Sequence, residues 1–166
     1  MAHLGTRRKF IREIQFAKSG PTLSEVDIIQ AEGELGIAFH QAYKEFLMKY
    51  NGGRPKLTSF PLFGDSLTIR GSIHWLYSIN KANYNYDIIK NMHTFKGRVP
   101  TNFLTIGEDP GGNIICISFR GPDIGKVYYW DHEGELDKSS VDSYENVYFI
   151  ADSFEEFINS LTAEER

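Results

Sequence analysis

The chain has 166 residues, 41% of them hydrophobic and 24% charged, enough to bury one core and too apolar for a disordered chain. No apolar run approaches the ~20 residues that span a bilayer, and the basic N-terminus lacks the apolar stretch of a secretory signal. The net charge of -4 divides into +4 over residues 1–20, +2 over 21–100 and -10 over 101–166, so the last third repels nucleic acid and favours a basic partner.

In chain order, Phe10, Ile11, Ile14 and Ala17 fall at helical spacing in TRRKFIREIQFAKSGP, with Gly20-Pro21 as a stop. That places a basic helix and connector over residues 1–23, ahead of a domain over 24–166. A second helix starts at Ser24 with Asp27 as capping-box partner. It presents Val26, Ile29 or Ile28, and Leu35 on its apolar side, and Gly36 ends it. HQAYKEFLMKYNGG gives a third, with a stripe of Tyr43, Phe46, Leu47 and Tyr50 for the core. Asn51-Gly52-Gly53 supplies the left-handed residues that close it.

Strands dominate thereafter. GSIHWLYSI alternates Ile73, Trp75 and Tyr77 with His74, Leu76 and Ser78, which predicts one strand, and YNYDIIKNMHTF predicts a helix. NFLTIG, NIICISF, KVYYWDH and NVYFIA are short and rich in aromatic or β-branched residues, and their close spacing favours antiparallel hairpins. NIICISF is apolar on both faces and belongs at the sheet centre. DSFEEFINSL closes the chain as a helix, with Ser153 and Glu156 as its capping box and Phe154, Phe157, Ile158 and Leu161 buried. The fold class is α+β: one mainly antiparallel sheet flanked by helices.

The GEDPGGN stretch decides among a phosphate loop, a metal loop and a turn. A phosphate loop needs a lysine and a helix after its glycines, but Asn113 leads into a strand. A calcium loop needs acids at alternate positions, whereas Glu108 and Asp109 are adjacent. Pro110, Gly111, Gly112 and Asn113 are what a hairpin turn requires.

Cys116, the only cysteine, permits no intramolecular disulfide and fits a reducing cytoplasm; mid-strand among isoleucines it reads as an inert small hydrophobe. The five histidines occur singly, without metal-ligand spacing, so neither a metal nor another cofactor is expected. The densest polar cluster is WDHEGELD, with Asp131, His132, Glu133, Glu135 and Asp137. It suits an acid/base pair or, more simply, a polar loop.

Taken together, the order of these pieces resembles the SUKH superfamily, the Smi/Knr cell-wall-regulator-like family that includes many bacterial immunity proteins. The resemblance covers about residues 24–161. It rests on the two helices around Leu35-Gly36, on Tyr43, Phe46-Leu47 and Asn51-Gly52-Gly53, and on FLTIGEDPGGN. GKVYYWDHE from Gly125 to Glu133 and the closing ADSFEEFINSL complete it. The family usually has Leu-Pro before the third helix; here Phe39-His40 stands there.

The resemblance implies a domain without catalysis that binds another protein. The expectation is a cytoplasmic immunity protein that neutralises a cognate, basic toxin, with a nuclease among the candidates and with no nucleic acid, membrane or small-molecule substrate as partner. The contact surface expected is the acidic rim of Glu108, Asp109, Asp131, His132, Glu133, Glu135 and Asp137. Two alternatives stand beside it: a regulatory scaffold for cell-envelope or polysaccharide synthesis, and a small enzyme using the Asp131–His132–Glu133 loop.

Overall fold

Ser24 starts the first helix, α1 (Glu25–Leu35), with a complete capping box. Its side chain accepts from the Asp27 N–H, and Asp27 Oδ2 accepts from the Ser24 N–H at 2.7 Å. Gly36, at φ 67°, ends the helix in the left-handed conformation. The computed structural model of the chain describes residues 11–64 and 68–164.

Of the residues expected on the apolar side of α1, Ile28 and Leu35 reach the core, whereas Val26 and Ile29 do not. Ile28 and Ala31 are buried, while Val26 and Ile29 are 70% and 66% exposed. The helix is apolar on two sides, and spacing alone does not say which one meets the core. The helix expected ahead of α1 falls partly on residues 1–10, outside the described residues. Over 11–21 it is corrected: the segment contains no helix, and Phe16–Ala17 forms β1, antiparallel to β2 (Arg54–Pro55). Ile14 still reaches the core, and its N–H donates to the Tyr50 hydroxyl at 3.3 Å. Burial is thus achieved by an extended strand that rides on α2 (Gln41–Tyr50).

Helix α2 buries Tyr43, Phe46 and Leu47 as expected, and Asn51 closes it at φ 46°. The single strand expected over GSIHWLYSI is corrected to two. Ser59–Pro61 (β3) pairs with Arg70–Ser72 (β4), and Trp75–Leu76 (β5) joins the main sheet. Both Trp75 and Leu76 are buried, so alternation fails where the chain changes sheets. Asp87 caps α3 (Ile88–Phe95) by accepting from the Lys90 N–H.

The main sheet is an antiparallel meander of β5, β6 (Phe103–Glu108), β7 (Ile114–Ser118), β8 (Val127–Trp130) and β9 (Val147–Ala151), neighbours in sequence being neighbours in space. Strand β7 is central and wholly buried. Its Ile115 and Ile117 pack into the core with α1, α2 and α4 (Phe154–Asn159). Its Ile114 and Cys116 pack on the other face with Phe103, Trp130 and Val99. Burial on both faces pins the register, since a slip by one residue would exchange them. Ser153 caps α4 by accepting from the Glu156 N–H, and Phe154, Phe157, Ile158 and Leu161 are buried. Among the described residues no helix is long and apolar enough to cross a membrane.

Candidate functional site

The β6–β7 connection is a turn. The Asp109 N–H donates to the Asn113 carbonyl at 2.9 Å, and the Gly112 N–H to the Asp109 carbonyl at 3.3 Å. Asp109 Oδ1 accepts from the N–H groups of Gly111 and Asn113, both at 2.8 Å. Gly112 has φ 89°, a conformation that a side chain would strain; Gly111 does not. Asp109 Oδ1 is therefore spent on its own loop.

The second acidic loop leaves β8. Asn146 holds the Asp131 backbone at the loop base: the Asp131 N–H donates to the Asn146 carbonyl, and the Asn146 side-chain Nδ2 donates to the Asp131 carbonyl at 2.8 Å. Asp131 Oδ1 accepts from the Glu133 N–H at 2.9 Å and starts a 3-10 turn over His132–Gly134.

The β7–β8 register pairs Ile114 with Trp130, which brings Asn113 beside His132. Asn113 Oδ1 accepts from the His132 N–H at 3.1 Å and lies 2.7 Å from His132 Nδ1. An amide oxygen only accepts, so Nδ1 carries the proton. On its other side Asn113 Nδ2 donates to Asp109 Oδ2 at 2.9 Å and to the Tyr129 hydroxyl at 2.6 Å. Tyr129 donates in turn to Asp109 Oδ2 at 2.6 Å. Burial, then the bond to Asp109, holds the Tyr129 phenol well above its ordinary value.

Two more acids of the set are occupied. Tyr77 donates to Glu108 Oε2 at 2.9 Å, and its phenol is raised by burial and then by that carboxylate. Arg98 donates to both oxygens of Glu135, each at 2.9 Å, a fork geometry that holds the Glu135 carboxyl below the usual range. Only Glu133 and Asp137 of the six are exposed.

The two loops that carry the seven sequence-derived residues leave the same end of the sheet, since β6 and β8 run in the same direction, but the residues differ in role. Glu108, Asp109, Asp131 and Glu135 hold the rim together, while Glu133 and Asp137 face solvent. The roles of Tyr129, Tyr77 and Arg98 escaped the sequence reading because their partners are distant in sequence, and Asn113 shows there only as a turn residue. Among the described residues no group of three or more His, Cys, Asp or Glu side chains is arranged to hold a metal ion. An open groove of about 630 Å³ between α1 and α2, with Ile29 and Met48 in its wall, includes none of the seven residues.

The model of the SMI1/KNR4 family (SUKH-1) matches residues 22–160. The chain is also 32% identical over 151 residues to the SPbeta prophage-derived uncharacterized protein YokK of Bacillus subtilis (strain 168), an alignment covering 81% of this chain and 72% of that protein.

Proposed function

The chain belongs to the SMI1/KNR4 family (SUKH-1), and on that premise we propose that it is a cytoplasmic, non-enzymatic immunity protein. It binds a cognate basic toxin in a stoichiometric complex and neutralises it. The observation that carries this reading is the acidic rim. Two loops from a third of the chain with a net charge of -10 are clamped edge to edge through Asn113 and His132. A preorganised, predominantly acidic surface steers a basic protein and loses little entropy on binding.

The same bonds support binding over catalysis by the Asp131–His132–Glu133 loop. The Asp131 carboxylate is engaged by the Glu133 N–H, and His132 Nδ1 is aimed at an amide oxygen instead of a carboxylate. Co-expression with the product of the adjacent gene tests the proposal. Rescue of growth together with a stable co-purified complex is the expected result. An adjacent product that is toxic yet neither bound nor neutralised would remove it.

A further inference from the structure

Helix α1 carries more apolar surface than the core uses. Ile28 and Ala31 are buried, whereas Val26 and Ile29, one turn apart on another side, stand 70% and 66% exposed. Beside this ridge runs the groove of about 630 Å³ between α1 and α2, with Ile28, Ile29 and Met48 in its lining. Met48 is itself half-exposed. A projecting apolar edge and an apolar recess therefore lie next to each other on one face of the protein.

Gly33 is an independent observation on the same stripe, seven residues after Val26. Inside a helix a glycine costs about 1 kcal/mol relative to alanine, and the fold does not require this one. Its φ is not positive, and among the described residues a Cβ there would meet nothing within 4 Å. A bare backbone on an exposed helix face permits the close approach of another body. Charge then selects that body. The groove is lined by Glu25, Glu32 and Glu45 and by Lys44 and Lys49, with Glu32 and Lys44 paired across it at 3.0 Å. A basic toxin would meet the two lysines. A face with both signs, a ridge and a recess complements a copy of itself, and a two-fold interface places the same patch on both sides.

We propose that two copies of this chain associate through the α1–α2 face, the Val26–Ile29 ridge of each entering the groove of the other, with Gly33 at the close approach. Burial of both ridges and of Met48 supplies the apolar centre of the interface, and the mixed charges form its rim. None of the seven residues of the acidic rim lines the groove, so the dimer stands or falls separately from the immunity reading.

Sedimentation equilibrium of the purified full chain over about 1 to 200 µM tests it. Wild type should move reversibly from one chain mass to two. Ile29→Glu and Gly33→Leu should each raise the dimer Kd at least about tenfold, the first by burying a charge and the second by filling the close approach. Both positions are exposed, so at the dilute end neither variant should melt below wild type; Gly33→Leu should melt higher, since leucine favours the helix. A wild type that keeps one chain mass throughout overturns the dimer. A dimer whose Kd neither substitution changes overturns the α1–α2 face. A monomeric wild type that binds the product of the adjacent gene, with binding lost in Ile29→Glu, also overturns it and gives the face to the toxin.

Discussion

Asn113 and His132, nineteen positions apart, share one oxygen: Asn113 Oδ1 takes both the backbone N–H and Nδ1 of His132, at 3.1 and 2.7 Å. With Asn113 Nδ2 held by Asp109 and Tyr129, one amide joins two loops and the strand between them. Asn113→Ala is expected to cost about 1–3 kcal/mol, because it strands several polar partners at once. Urea unfolding measures the loss. Hydrogen exchange should rise in residues 108–113 and 131–137 together. A rise confined to 108–113 would show that the loops are not coupled.

The two glycines of the turn are not equivalent. Gly112 is at φ 89°, whereas Gly111 is not in the left-handed region, and a Cβ on it would meet nothing closer than 3.4 Å. Gly112→Ala should destabilise by about 1 kcal/mol, and Gly111→Ala by less than about 0.5 kcal/mol. Denaturant midpoints decide, and equal midpoints for the two variants would contradict the turn geometry.

Cys116 is fully buried, and burial pushes its thiol well above the ordinary value. The unfolded thiol ionises near pH ~8.5. Below that pH neither state ionises and the contribution to stability is complete. Above it the unfolded chain sheds a proton that the folded chain keeps, so stability falls as pH rises. Tyr43, likewise raised by burial, adds a loss of the same sign from about pH 10. Urea midpoints for wild type should decline from about pH 8.5, and those of Cys116→Ala more gently. The native thiol should resist a soluble alkylating agent that labels the unfolded chain at once.

Because four of the six acids hold the rim together, neutralising all six would confound charge with structure. Glu133→Gln with Asp137→Asn changes only exposed groups. Against the toxin proposed as partner, this pair should lower the association rate roughly threefold at low salt and leave dissociation nearly unchanged. Between about 50 and 500 mM sodium chloride the wild-type rate should fall more steeply than the variant's. Parallel salt dependences would show that the rim does not steer.

What could be read from the sequence was what is local. Ser24, Asp27 and Gly36 mark α1 because capping bonds reach three or four residues, and the turn after Glu108 is written in its own glycines. The exposure of Val26 and Ile29 was not legible, since it depends on which face of α1 meets distant strands. Nor was the extended course of residues 11–17, where Ile14 is buried without a helix. The acids were found as composition. Their division into structural and exposed members depends on Tyr77, Arg98 and Tyr129, none of which is a neighbour in sequence.

The β7–β8 register has a thermodynamic consequence. A slip by one residue would carry Asn113 away from His132 and dismantle the rim, while the separate loops kept the same charges. Any ligand that needs both loops therefore binds the correctly registered chain alone. By mass action it raises the melting temperature in proportion to the logarithm of its excess over Kd. Binding of such a ligand would double as proofreading: unfolded and mispaired chains would be left uncomplexed.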